Sequence, residues 1–253
     1  MALMKRQPRG PKKFRNKNNE TGKDFWDKEY SAKRGEHLAM STEPSEDLEK
    51  FTRWLERQYG REFLNPLANV LDLGCGNGRN VVYLAENFGL RGTGYDISTQ
   101  AIVEAKKLHA QVRGSLPLSF AVRSLKEELP LPDDSQTIVL DMMVSHFLSK
   151  DERENLIKEI FRVLKPGGWL FMKTFLRDED IHVERLLREY PADEAGSYIH
   201  PEIGVAEHTF HEEEILEDLS SFFVHKITKS HRHKADTGSK RRSMSIYAQK
   251  VTK

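Results

Sequence analysis

The chain has 253 residues, 38% of them hydrophobic and 31% charged, with 16 Gly, 10 Pro and one Cys. This composition supports a sizeable core and excludes whole-chain disorder, while a lone cysteine excludes a disulfide framework and a cysteine-rich zinc site. The formal net charge of +1 covers a marked asymmetry: residues 1–23 sum to +7, residues 226–242 to +6 and Lys250 with Lys253 to +2, leaving −14 on residues 24–225. Such basic blocks suit either RNA binding or a solvated tail. No apolar run approaches the roughly 18 residues of a membrane span, and the basic amino terminus has no apolar signal stretch. A cytoplasmic protein without membrane contact is expected.

In chain order, residues 1–23 are polar and aperiodic, so a disordered basic tail is expected ahead of a domain over 24–253. Phe51, Trp54, Leu55 and Tyr59 then recur at helical spacing. Short apolar runs follow in alternation with amphipathic stretches. They predict strands over 70–73, 92–95, 118–122, 137–142 and 169–174, and helices over 80–88, 98–112 and 151–164. Ser149 and Glu152 have capping-box spacing at the start of the third helix, and Lys165-Pro166-Gly167-Gly168 stops it. The rhythm predicts an α/β fold, a doubly wound, mostly parallel sheet with helices on both faces. Residues 177–210 break it and read as an insertion over the sheet, with one helical piece around Ile181, Leu186 and Leu187. A helix over 212–220 then leads to strands over 222–228 and 243–249. With no helix between them, these strands should pair antiparallel.

The most informative segment is Asn-Val-Leu-Asp-Leu-Gly-Cys-Gly-Asn-Gly-Arg over 69–79. An apolar strand runs into Gly74, Gly76 and Gly78, and a helix follows. Glycines there let the chain turn sharply and let a ligand approach the main chain at a helix amino terminus. Arg79 stands where the dinucleotide fingerprint needs its third glycine, and no Gly-Lys-Ser/Thr follows. Asp72 is unusual inside a buried strand and needs a partner, either a ligand ammonium group or the amides of the turn. Asp96, at the end of the next strand, is placed to hold both hydroxyls of a ribose. The ordered pair points to an adenosine-type ligand with a zwitterionic tail.

These segments resemble the class I S-adenosylmethionine-dependent methyltransferases, from about Trp26 to Gln249. V-L-D-L-G-C-G-N-G is similar to the first motif of that family and G-Y-D-I to its second. L-P-L-P-D-D-S and R-V-L-K-P-G-G-W-L-F-M are similar to the segments around its fourth and fifth strands. The resemblance implies a seven-stranded sheet with an antiparallel last strand, and S-adenosyl-L-methionine as cofactor. It places Gly74, Cys75, Gly76, Asn77 and Gly78 around the amino-acid portion, with Asp72 organising the turn. Asp96 would hold the ribose and Ile97 would pack on the adenine. Ser124 and Leu125 stand where many relatives have an acid for the adenine amino group. Asp141 and Met142 end the fourth strand; thiopurine and tellurite methyltransferases similarly show Ser and Asp at these two places. Tyr30 looks like the aromatic residue that closes over the cofactor.

Methyl transfer from a sulfonium needs mainly alignment and desolvation, with a base only where the nucleophile carries a proton. Asp141 and His146 are the catalytic candidates at the mouth of the fourth strand. Lys173 resembles, alternatively, the catalytic lysine of heat-shock type ribosomal RNA 2′-O-methyltransferases. His200, His208 and His211 are read as surface histidines, or as lining for an acceptor pocket. His231 and His233 sit between cationic neighbours, so no metal site is expected. A small-molecule acceptor is the first expectation, RNA or a ribosome-associated protein reached through the basic ends the second, and a non-catalytic cofactor-binding protein of the same fold the third.

Overall fold

The computed structural model describes residues 22–31, 41–112, 115–230 and 241–251. The chain opens with α1 (Gly22–Ser31) and α2 (Glu46–Tyr59), then alternates through β1 (Asn69–Leu73), α3 (Arg79–Phe88), β2 (Arg91–Asp96), α4 (Thr99–Gln111) and β3 (Leu118–Val122). After β4 (Gln136–Met142) come a single 3-10 turn over Ser145–Phe147, α5 (Lys150–Val163) and β5 (Leu164–Phe175). The remainder comprises α6 (Ile181–Glu189), β6 (Ser197–Ile199), β7 (Ala206–His208), α7 (Glu212–Asp218), β8 (Phe222–Lys229) and β9 (Ser243–Lys250).

Seven strands form one sheet in the order β3-β2-β1-β4-β5-β9-β8. The pairings among the first five are parallel, and β9 runs antiparallel to both β5 and β8. The doubly wound sheet and the antiparallel pairing of the last two strands follow the sequence expectation. That β9 inserts between β5 and β8 could not be read from chain order. Two cores result because side chains alternate across the pleat. Val70, Ile138, Leu140, Trp169 and Phe171 pack with Leu48, Phe51 and Leu55 of α2. Their chain neighbours Leu71, Val139, Leu170 and Met172 pack with Leu156, Ile160 and Val163 of α5. Burial on both faces explains why the central strands read as continuous apolar runs.

Local signals account for several boundaries. Ser149 and Glu152 form the capping box of α5, and Ser98 caps α4 by accepting from the Ala101 amide. Gly89 ends α3 in the left-handed region at φ +74. The stop after α5 differs from expectation in one respect: β5 begins at Leu164, not at 169. Leu164 pairs with Gln136, and the register shifts before Ile138 meets Trp169, so the Pro-Gly-Gly run forms a bulged strand start.

The insertion contains α6 and a two-stranded sheet, β6 paired antiparallel with β7. Its neck is stitched by Arg177 N–H donating to Phe210 O at 2.7 Å and Phe210 N–H donating to Phe175 O at 3.1 Å. The expectations for residues 1–21 and for the basic stretch 231–240, His231 and His233 included, lie outside the described residues. Among the described residues no helix is long and apolar enough to cross a membrane.

Candidate active site

The chain leaves β1 through Gly74, Gly76 and Gly78, at φ +62, +55 and +76. An L side chain adopts this region only with strain. A Cβ on Gly74 would lie 2.4 Å from Val144 Cγ2, and one on Gly76 would lie 2.5 Å from the Tyr30 hydroxyl oxygen. The turn is tied to the sheet by Cys75 N–H donating to Tyr95 O at 2.9 Å, and closed on itself by Gly78 N–H donating to Cys75 O at 2.9 Å. Asp96 completes it. Its Oδ2 accepts from the Gly76 amide at 2.9 Å and its Oδ1 from the Ser98 amide at 2.8 Å. Burial raises the Asp96 pKa while those amides hold it down; the net direction is upward.

Above the turn lies a cavity of about 620 Å³ at the carboxyl ends of β1, β2 and β4. This is the reversal point of the strand order, where doubly wound sheets receive ligands. Gly74, Cys75, Gly76 and Asn77 line its floor, Asp96 and Ile97 one wall, Ser124 and Leu125 the next, and Met142 the side toward β4. Tyr30 reaches it from α1, its hydroxyl pKa raised by burial and by the Asp96 carboxylate. Asn77 Nδ2 donates to Ser41 O at 2.9 Å, and Ser45 N–H donates to Asn80 Oδ1 at 3.0 Å, binding the lead into α2 onto the turn.

Four expected residues are absent from the cavity wall. Gly78 packs instead on the α4–β3 layer, where a Cβ would meet Phe120 at 2.8 Å. Asp72 is buried beneath the turn, its Oδ2 without a partner among the described residues. Asp141 points to the α5 face and accepts from the Ser145 amide at 3.2 Å, starting the 3-10 turn. Burial lifts its pKa to about 6. His146 is buried against Phe147 and Phe175, with ring centroids 4.1 and 4.8 Å away. Burial, reinforced by Arg241, pushes its pKa well down, so its ring is neutral. The placement of Asp141 and His146 at the cavity mouth is therefore corrected: Asp141 faces the other side of β4 because side chains alternate along a strand, and His146 is buried in the 3-10 turn that follows.

Residues 70–168 match the family model described as a methyltransferase domain. An S-adenosylmethionine-dependent methyltransferase from Methanosarcina mazei superposes with a TM-score of 0.65 at 28% identity, covering 76% of this chain and 97% of that one. Residues 70–168 thus form a methyltransferase domain, built on the fold of the class I S-adenosylmethionine-dependent methyltransferases. Among curated relatives, an uncharacterized methyltransferase from Synechocystis sp. is 33% identical over 105 residues, 42% of this chain and 46% of that protein. A ubiquinone biosynthesis O-methyltransferase from Chromobacterium violaceum is 34% identical over 115 residues, 43% of this chain and 45% of that protein. The chain spans about half the length of the curated relatives it matches.

The methyltransferase cavity also draws on elements outside the matched span. From α1, Asp27 Oδ1 accepts from Ser98 Oγ at 2.7 Å and from the Gln100 amide at 3.1 Å, so α1 is fastened to the start of α4. Trp26 crosses to Phe147, centroids 5.1 Å apart. Val205 and Ala206 enter from the insertion. Lys173, at the carboxyl end of β5, lines the cavity and pairs with Asp47 of α2 at 2.5 Å, which helps hold that carboxyl below its usual range against the effect of burial. Trp26 and Tyr30, four residues apart, have the helical spacing that would have identified α1; nothing local marks Asp27 or Asp47. The insertion histidines stay out of the wall. His208 is buried, its Nε2 2.7 Å from Glu214 Oε1, while His211 pairs with Asp178.

Asp72 supplies a stability test. Burial, with Asp96 adding to it and Arg79 opposing, raises its pKa to about 8. The unfolded value is about 3.9. Between these values the folded state holds a proton the unfolded state has lost, so stability declines as pH rises through that window. Asp72→Asn removes the dependence. Thermal melts of the ligand-free protein should show the variant gaining more over wild type at pH 8 than at pH 5. An equal gain at both pH values would contradict the buried neutral acid.

Proposed function

We propose that the protein transfers a methyl group from S-adenosyl-L-methionine to an O, N or S nucleophile of a small molecule, acting in the cytoplasm. The observation that carries this reading is the bare backbone of Gly74 and Gly76 beside Asp96, opening on the cavity between β1 and β4. The residues suit the cofactor. A Cβ at either glycine would collide with Val144 or with the Tyr30 hydroxyl, so only glycine keeps the cavity floor in this shape, and Asp96 is tied down by two amides at the cavity wall. In this reading Gly74 to Asn77 run along the methionyl portion, Asp96 holds the ribose hydroxyls, and Ile97, Ser124 and Leu125 enclose the adenine. When bound, the cofactor supplies an activated methyl on a sulfonium.

The work of the chain is then alignment and exclusion of water. Trp26 and Tyr30 of α1 and Val205 and Ala206 of the insertion face the cavity; residues 177–210 act as the acceptor lid within a domain over 24–253. Asp141 and His146 position the turn after β4 and do not touch the acceptor. The likeness to a ubiquinone biosynthesis O-methyltransferase supports a small acceptor.

Isothermal titration with S-adenosylhomocysteine and with NAD tests the cofactor assignment; binding of NAD alone would sink it. Transfer of labelled methyl groups to a cell extract, fractionated into RNA, protein and small molecules, should label the small-molecule fraction. Label confined to RNA would move the acceptor to the basic segments instead.

A further inference from the structure

Beneath the glycine turn, three buried acids act on one another through their charges, with the Arg79 guanidinium opposing them at Asp72. Asp72 of β1 is 1% exposed, Asp96 of β2 7% and Asp141 of β4 1%. Arg79 of α3, the Cys75 thiol of the turn and the Tyr30 hydroxyl of α1 are within electrostatic reach of Asp72, and Asp141, which faces the other side of β4, acts on it through its charge. On the α2 side, Lys173 of β5 is engaged by Asp47. Asp96 accepts from the Gly76 and Ser98 amides and Asp141 from the Ser145 amide. Asp72 Oδ2, in contrast, is sealed from solvent and accepts no hydrogen bond among the described residues. A carboxylate oxygen in such surroundings is costly, so the group keeps its proton until positive charge arrives nearby.

Under the methyltransferase reading, on which this inference rests, the ligands of the cavity differ in charge. S-adenosylmethionine carries a sulfonium, an ammonium and a carboxylate, a net positive charge; the demethylated product has a neutral thioether and is a net-neutral zwitterion. We infer that Asp72 is a specificity-determining residue that senses this charge: it releases its proton to solvent when the sulfonium form occupies the turn, and largely retains it when the product does. The site thereby separates substrate from product by a proton as well as by a methyl group. The raised pKa of Asp72, about 8, agrees with a proton present in the empty site at neutral pH. Arg79 opposes the effect and Asp96 reinforces it. Between about pH 6 and 8, affinity for the sulfonium form should therefore rise with pH, by up to about tenfold per unit if a full proton is released. Affinity for the product should rise less.

The test is isothermal titration of the full chain with S-adenosylmethionine and with S-adenosylhomocysteine at pH 6.5, in phosphate and in imidazole buffer, whose ionisation enthalpies differ. Neither ligand's ammonium group nor its carboxylate titrates there. The expected result is a buffer-dependent enthalpy for S-adenosylmethionine that reports release of a large part of one proton. A smaller release is expected for S-adenosylhomocysteine, and none for either ligand in Asp72→Asn. No buffer dependence, equal release for the two ligands, or unchanged release in the variant would overturn the inference while leaving the methyltransferase reading intact. Failure of both nucleosides to bind would overturn that reading and the inference with it. A wild-type series needs no variant: the ratio of product to substrate Kd should climb severalfold from pH 6 to 8, and a constant ratio would reject charge sensing.

Discussion

Gly74→Ala is expected to destabilise the protein by about 2–5 kcal/mol and to remove measurable cofactor binding. Two costs add. The residue sits at φ +62, where an L side chain costs about 1–2 kcal/mol. Its Cβ would stand 2.4 Å from Val144 Cγ2 and 2.8 Å from Val144 Cβ, and overpacking of this kind costs about 1–3 kcal/mol. Val144 cannot move freely, because it precedes the 3-10 turn that Asp141 holds through the Ser145 amide. Gly204 separates the two costs. It has φ +68 but nothing within 4 Å of the point where a Cβ would stand, so Gly204→Ala should incur only the backbone strain. Thermal melting of both variants measures the difference, and a Gly74→Ala variant no less stable than Gly204→Ala would refute the crowding argument.

Asp96→Ala should weaken S-adenosylhomocysteine binding by about 1–3 kcal/mol, roughly 5- to 150-fold. The carboxylate at the end of β2 does two things at once. It faces the cavity, and it accepts from the Gly76 and Ser98 amides at 2.9 and 2.8 Å. Truncation removes the ribose acceptor and leaves two buried donors unpaired, so the turn loosens as well. Asp96→Asn keeps an acceptor oxygen without the charge and should fall between alanine and wild type. Titration calorimetry decides the matter: an unaltered Kd in a folded Asp96→Ala variant would reject the ribose assignment.

The glycine turn and Asp96 are legible in the residues alone because their order is local. A strand, three glycines and a helix start occupy eleven consecutive positions, and the acid lies one βα unit later. Asp141 and His146 illustrate where such reading stops. Asp141 lies in the expected strand, where a register shift of one residue moves a side chain to the other layer, and His146 lies in a 3-10 turn whose packing has no periodic signal. Asp27 and Asp47 carry no signal at all, since one serves α4 and the other β5, 71 and 126 residues away. Contacts at such separations leave no spacing to read.

By itself, the sequence determined the alternating strands and helices, the two-sided burial of the central strands and the sharp turn after β1. Each follows from periodicity, capping or glycine content over short distances. Only the tertiary structure decided that β9 slips between β5 and β8, that Asp141 turns away from the cavity, and that Asp72 is shut in with an unmet oxygen. Those outcomes depend on which surfaces meet when separate segments pack, and packing joins residues that chain order keeps far apart.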